Sequence, residues 1–168
     1  MAPEPTASCS VRPLRAEDRD GLRAVLRERW GSETIVVGGL AHAADELPGF
    51  VAEHAGEPVG YLTLCDGDRV TEIVTLDALQ RGVGVGSALV GAAVSATRER
   101  GQALLTVTTT NDNLDALRFY QRRGFRLAEL RTGAVDAARA LKPSIPQVGE
   151  HGIGVHDEIG LRFGLGDD

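Results

Sequence analysis

The chain has 168 residues, 42% of them hydrophobic and 25% charged, which suits one soluble globular domain with its own core and excludes two domains of average size. The longest apolar stretches fall well short of a membrane span, and a net charge of -6 argues against a general nucleic-acid binder while suiting a cationic acceptor. Cys9 and Cys65 lie far apart with no CxxC spacing, so they read as structural thiols and not as a metal or redox pair.

Residues 1–9 begin Met1-Ala2-Pro3-Glu4-Pro5 and lack the basic start and apolar run of a secretion signal; they read as a flexible tail before one domain over residues 10–168, expected in the cytoplasm. Val11 to Leu14 has strand character, and Leu22, Val25, Leu26 and Trp30 then recur at helical spacing. Phe50 to Ala55 and Val59 to Leu64 predict a hairpin turning at Gly56-Glu57-Pro58, and Asp66-Gly67-Asp68 leads to a third strand, Val70 to Leu76. From Val85 the apolar period is near 3.6 until Gly101, a long helix; Leu104 to Thr108 is a buried strand. Asn111-Asp112-Asn113 offers N-cap chemistry to a short helix that Gly124 ends. Phe125 to Arg131 reads as strand, Ala134 to Leu141 as helix, Pro143 to Gly154 as loop and Glu158 to Phe163 as a last strand. Hairpin strands followed by strand-helix-strand crossovers predict an α/β (α+β) fold, a mixed sheet covered by helices.

Between the third strand and the long helix lies Arg81-Gly82-Val83-Gly84-Val85-Gly86. Small residues there let the backbone approach a ligand and leave amides free at a helix N-terminus, where a phosphate group fits. The amides of Val83 to Ser87 would face a pyrophosphate, with Arg81 adding a cationic contact. The spacing is neither GxGxxG nor a Walker A loop. A tight strand-to-helix connection without a ligand is the other reading of these glycines.

With its surroundings, this segment resembles motif A of the GNAT acetyltransferases, Arg/Gln-x-x-Gly-x-Gly/Ala. Further on, Asn113-x-x-Ala116-x-x-x-Tyr120-x-x-x-Gly124-Phe125 resembles that family's motif B. The likeness in element order covers residues 11 to 131. Glu72 to Leu79, Thr109 to Asn113, Phe119-Tyr120-Gln121 and Leu141 to Pro146 look like a bacterial subgroup. The resemblance implies a mixed, mostly antiparallel sheet flanked by helices. It also implies acetyl-CoA as cofactor and acetyl transfer to a primary amine of a small molecule or peptide in a ternary complex. The alternative is an acyl-CoA-binding sensor or partner subunit that performs no transfer.

The resemblance makes Tyr120 the general acid for the leaving thiolate; a packed aromatic is its plainer reading. Glu72 interrupts apolar positions of its strand, so its charge is costly unless paired or used. The resemblance makes it the base, and a surface or salt-bridged carboxylate is the other reading. A backbone amide near Leu76 is the implied oxyanion donor. Asn113 is either a ligand of the pantetheine arm or the cap of its own helix. The cofactor set is thus Leu76, Arg81, Gly82, Val83, Gly84, Val85, Gly86, Ser87, Asn113 and Tyr120. His42, His54, His151 and His156 have no metal-ligand spacing, so no metal is expected. Acceptor specificity is expected in Trp30 to Phe50 and Pro143 to Glu158, where Asp45, Glu46, Asp157 and Glu158 would attract an amine. No nucleic acid or membrane partner is expected, and a homodimer is left open.

Overall fold

A computed structural model describes residues 8–166. The expected tail therefore lies outside the described residues except for Ser8 and Cys9, and Cys9 packs against the core. Among the described residues, the strands are Ser10–Pro13 (β1), Thr34–Val37 (β2), Leu40–Ala43 (β3), Gly49–His54 (β4), Glu57–Asp66 (β5), Val70–Ala78 (β6), Leu104–Thr110 (β7), Arg126–Arg131 (β8) and Glu158–Gly164 (β9). The α-helices are Arg19–Trp30 (α1), Val85–Glu99 (α2), Leu114–Gln121 (α3) and Ala134–Leu141 (α4).

Seven described strands form one sheet in the order β1-β4-β5-β6-β7-β9-β8. Its pairs are antiparallel except β6 with β7, as the strand-helix-strand crossover through α2 requires. The fold is thus the mixed sheet covered by helices that the pattern predicts, and it is mostly antiparallel, as the resemblance implies. The chain returns at its end to insert β9 between β7 and β8.

Each face of the sheet is covered. On one, Val85, Leu89, Val90 and Ala93 of α2 pack with Leu62, Leu64, Ile73, Leu105, Val107 and the ring of Tyr120. On the other, Leu22, Val25 and Leu26 of α1 pack with Ile35 and Val37 of β2 and with Val51, Tyr61 and Val74. The buried positions of α1 and α2 are those their helical spacing selects.

Two local expectations are corrected, and one hairpin is added. The hairpin between β4 and β5 turns at Ala55-Gly56, not at residues 56–58; both turn residues have positive φ (51° and 80°), the twist a two-residue hairpin needs. The third strand runs to Ala78 instead of Leu76. The hairpin β2–β3 was not foreseen, although Gly38-Gly39 between Ile35-Val36-Val37 and Leu40 is its turn signal.

The irregularity that positions the site is in β6. Thr63 pairs with Thr75 but Leu64 pairs with Ile73, so β6 carries one extra residue, Val74. Val74 and Thr75 consequently turn to the same face: Val74 joins the α1 core, and Thr75 bonds Thr63 hydroxyl to hydroxyl at 2.7 Å.

Candidate active site

The parallel pairing of β6 and β7 ends at Ile73 opposite Val107, although β6 continues to Ala78 and β7 to Thr110. Beyond the extra residue the two strands therefore leave a gap in the sheet. The backbone of β6 is oriented into it. Leu79 donates its N–H to the Val59 carbonyl (2.8 Å), which fixes the alternation of this antiparallel pair. Asp77 and Thr75 then exchange bonds with β5, while the N–H groups of Leu76 and Ala78 point to the opposite side, where β7 has parted.

At the mouth of this gap, the link 79–84 leads into α2. Gly82 and Gly84 have positive φ (82° and 70°), and a side chain at either would meet nothing within 4 Å, so the loop presents bare backbone to open space. Gly84 caps α2 without a side-chain bond, and no acidic residue sits in the first turn. The amides of Val85, Gly86 and Ser87 thus lack intrahelical acceptors, and the helix dipole is not offset locally. Arg81 is exposed beside them. The other members of the motif have structural duties as well: Val85 is buried in the core, Val83 packs against it, and a Cβ on Gly86 would meet the Phe119 ring at 2.8 Å. Ser87 Oγ accepts from Arg123 Nε (3.2 Å), whose guanidinium lies 3.5 Å over Phe119.

Tyr120 lies on the α2 side of the gap, its ring edge-on to Phe119 and Phe125. Burial, and then the charge of Asp77, raise its pKa above the ordinary phenol value, so it stays protonated. Asn113 caps α3, its Oδ1 accepting from Ala116 N–H (3.0 Å), and its Nδ2 group is left as a donor.

Glu72 lies on the opposite face from Tyr120, two positions before the extra residue, half-buried in a smaller cavity of about 360 Å³ with His42, Cys65 and Arg131. Thr108 Oγ1 donates to Glu72 Oε1 (3.5 Å) and accepts from Arg131 Nη2 (2.9 Å). Burial raises the Glu72 pKa; the charges of His42 and Arg131 and the Thr108 bond oppose that rise. The Nε2 atom of His42 is buried there without a partner among the described residues.

Sequence reasoning missed Asp77. It is a buried carboxylate on the α1 face beside the gap, and it accepts from Trp30 Nε1 (3.0 and 3.2 Å). Burial raises its pKa against the opposing Trp30 bond and Arg29 charge. A raised native pKa means that the folded state holds this proton more firmly than the unfolded chain. Its contribution to stability is therefore greatest at low pH and is lost as pH rises from the ordinary carboxylate range through the raised value. Asp77→Asn keeps an acceptor for Trp30 and removes the buried charge. It should melt higher than wild type once the pH exceeds that raised value and show a flatter rise in melting temperature on acidification. A uniform loss of stability at every pH would contradict this.

The two segments expected to shape an acceptor site do meet. A cavity of about 480 Å³ lies on the α1 face, bounded by Trp30, Ile35 and Val36 on one side and by Ile145, Gly149 and Val155 on another. Trp30, bonded to Asp77, and Thr110, the last residue of β7, bring this cavity to the two edges of the gap. Of the acidic residues expected there, only Glu158 lines it. Asp45 pairs with Arg23 (2.8 Å), and Asp157 accepts from Gly133 N–H (2.8 Å).

Three consecutive residues after β7 hold the outer wall. Asn111 donates Nδ2–H to the Gly154 carbonyl (2.8 Å) and accepts from the N–H groups of His156 and Asp157 (both 3.0 Å). Asp112 accepts from Glu150 N–H (2.9 Å), and Asn113 caps α3. Arg139 of α4 completes the anchorage through the carbonyls of Ile145, Pro146 and Val155. Among the described residues, Asp115, Glu150 and His151 bring ligand-type atoms within 4.8 Å of one another, but all three are exposed.

Residues 13–125 match the family described as the acetyltransferase (GNAT) family. The chain is 37% identical over 151 residues to the uncharacterized protein YxbD of Bacillus subtilis, covering 89% of this chain and 95% of that protein. It is 36% identical over 133 residues to YdhI of the same organism, covering 79% and 83%. Among solved structures, the fold matches an IAA acetyltransferase from Bacillus cereus (TM-score 0.72, 22% identity, 94% and 99% coverage). It also matches a GNAT family acetyltransferase from Elizabethkingia anophelis with acetyl-CoA bound (TM-score 0.66, 19% identity, 94% and 98% coverage).

Proposed function

Because the chain belongs to the acetyltransferase (GNAT) family, we propose that it transfers the acetyl group of acetyl-CoA to a primary amine by direct attack in a ternary complex. The observation that carries this reading is the gap between β6 and β7, with bare helix N-terminal amides at its mouth and the Leu76 and Ala78 amides along its wall. A pyrophosphate fits the open backbone at Gly82 to Ser87, where no side-chain cap or carboxylate competes, and Arg81 adds charge. An extended pantetheine arm fits the unpaired edge of β6, and Asn113 Nδ2 remains free to donate to it.

When bound, acetyl-CoA supplies an acetyl thioester. The residues of the chain perform the remaining work. Glu72, which lines the neighbouring cavity, takes a proton from the acceptor ammonium through water, and its raised pKa makes it a stronger base than an exposed carboxylate. The freed amine nitrogen attacks the carbonyl carbon, and the Leu76 N–H donates to the oxygen that becomes negative. As the carbon–sulfur bond breaks, Tyr120 gives its phenolic proton to the departing thiolate. The second proton of the nitrogen leaves with solvent and Tyr120 is reprotonated, so the products are the acetamide and CoA. Asp77 stands as a positioning residue that orients the indole of Trp30 at the cavity.

Thiol release from acetyl-CoA over a panel of amines tests the activity itself; CoA binding without release to any amine would favour the sensor reading. Glu72→Gln tests the base. Wild type should lose kcat/KM on acidification with a midpoint above the ordinary carboxylate range, because burial raises this group. The variant should lose that limb together with about 10²–10⁴-fold of rate. If the limb survives in Glu72→Gln and disappears in Asp77→Asn, the base is Asp77.

A further inference from the structure

The larger cavity is chemically two-sided. At the C-terminal ends of α1 and α4 it is lined by Arg29 and Lys142. Neither cation is in ion-pair contact with a carboxylate among the described residues, although the charge of Arg29 reaches Asp77. Lys142 Nζ donates only to the carbonyls of Trp30 (2.7 Å) and Thr34 (2.9 Å), and Arg29 is exposed and outside every ion pair. Desolvation also lowers the Lys142 pKa, the signature of a cation lacking an anion.

On the other side, the two buried carboxylates are already bonded. Asp112 accepts from Thr110 Oγ1 and from Glu150 N–H, and Glu158 accepts from Arg131 Nε (3.0 Å) and Gly38 N–H (3.3 Å). Between the sides, the walls are the apolar side chains of Ile35, Val135, Ala138, Ile145 and Val155. A third carboxylate of the lining, Glu150, is exposed and in no ion pair among the described residues. The cavity therefore suits an anion beside Arg29 and Lys142, an apolar body between its walls and a cationic group on the far side.

We infer, resting on the acetyltransferase reading, that the acceptor is an amine that itself carries a carboxylate on a compact apolar body, as in leucine, methionine or phenylalanine. Its carboxylate lies against Arg29 and Lys142, and its amine turns toward the gap between β6 and β7. A simple alkylamine would instead bring a third cation to two unpaired ones. That cost is absent for a zwitterion, and the bidentate geometry of Arg29 favours a carboxylate.

Trp30 is the single tryptophan of the chain and lines the cavity, so its fluorescence reports binding without turnover. The protein saturated with CoA is titrated with leucine, methionine and phenylalanine, with their methyl esters, and with the corresponding decarboxylated amines. The amino acids should bind at least about tenfold more tightly than either derivative. Arg29→Met, which breaks no bond within the fold, should remove that preference, as should Lys142→Met. Equal or tighter binding of the derivatives, or no fluorescence change with any amino acid, would overturn the inference. Thiol release separates the two levels. Acetyl transfer to the decarboxylated amines with no preference for amino acids keeps the enzyme and removes this acceptor class. Selective binding of amino acids without thiol release keeps the site and removes the transferase.

Discussion

Tyr120→Phe is expected to bind acetyl-CoA as wild type does and to lose about 10²–10⁴-fold in kcat. Only the hydroxyl is removed, so the edge contacts of the ring with Phe119 and Phe125 persist and the α2-side core stays filled. Burial and the Asp77 charge hold the phenol protonated through neutral pH, which is the state an acid needs. The loss should be smallest for a thioester whose thiol is already acidic, because such a leaving group needs no proton. Single-turnover rates with a CoA thioester and an acetyl ester of an acidic thiophenol measure this directly. Full turnover in Tyr120→Phe with both donors would reduce the residue to packing.

The second large effect is expected in the loop that precedes α2. Gly82→Val with Gly84→Val places two branched side chains on backbone of positive φ, where each costs about 1–2 kcal/mol. Open space surrounds both positions, so the strain is relieved by rearranging the loop and not by displacing the core. Losing about 3 kcal/mol of preorganisation corresponds to an affinity for CoA lower by at least about 10²-fold. The free enzyme should unfold cooperatively, and isothermal calorimetry with CoA and with desulfo-CoA should show the same loss. A change of threefold or less would place the pyrophosphate elsewhere.

The helices were legible because each has one strongly apolar stripe: the spacing of Leu22, Val25 and Leu26, and of Val85, Leu89, Ala93 and Thr97, selects the residues that are buried. The glycine loop was legible because its chemistry is local. The Ala55-Gly56 turn was misplaced because Pro58 draws attention to itself, yet it lies within β5. Strand order was beyond the sequence, since nothing in Glu158 to Gly164 says that this strand enters between two earlier ones.

At the site, the N-cap chemistry of Asn113 could be read, its partner being three residues away. The bonds of Asp112 and Asn111 could not, because their partners lie 38 and 46 residues further along. Asp77 was missed for the same reason: its partner Trp30 is 47 residues distant, and a carboxylate at a strand end looks like surface until that indole covers it. The two free cations of the cavity were likewise ordinary surface residues until α1 and α4 brought them to one place.

The extra residue in β6 has an evolutionary corollary. Side chains along this strand can be exchanged at modest cost, but the one residue that the bulge absorbs between Ile73 and Thr75 bends the strand without changing the faces of the residues after it. Deleting Val74 would restore strict alternation while every later residue kept its present partner and face, and it would remove the bend and added twist that a bulge gives its strand. Asp77 would stay beside Trp30, but β6 would run straight along β7, and the amides of Leu76 and Ala78 would be taken up by the Val107–Thr110 edge instead of facing a gap. A lineage can therefore retune its acceptor by substitution on either flank of the gap, whereas a single-codon deletion at this spot would close the gap itself.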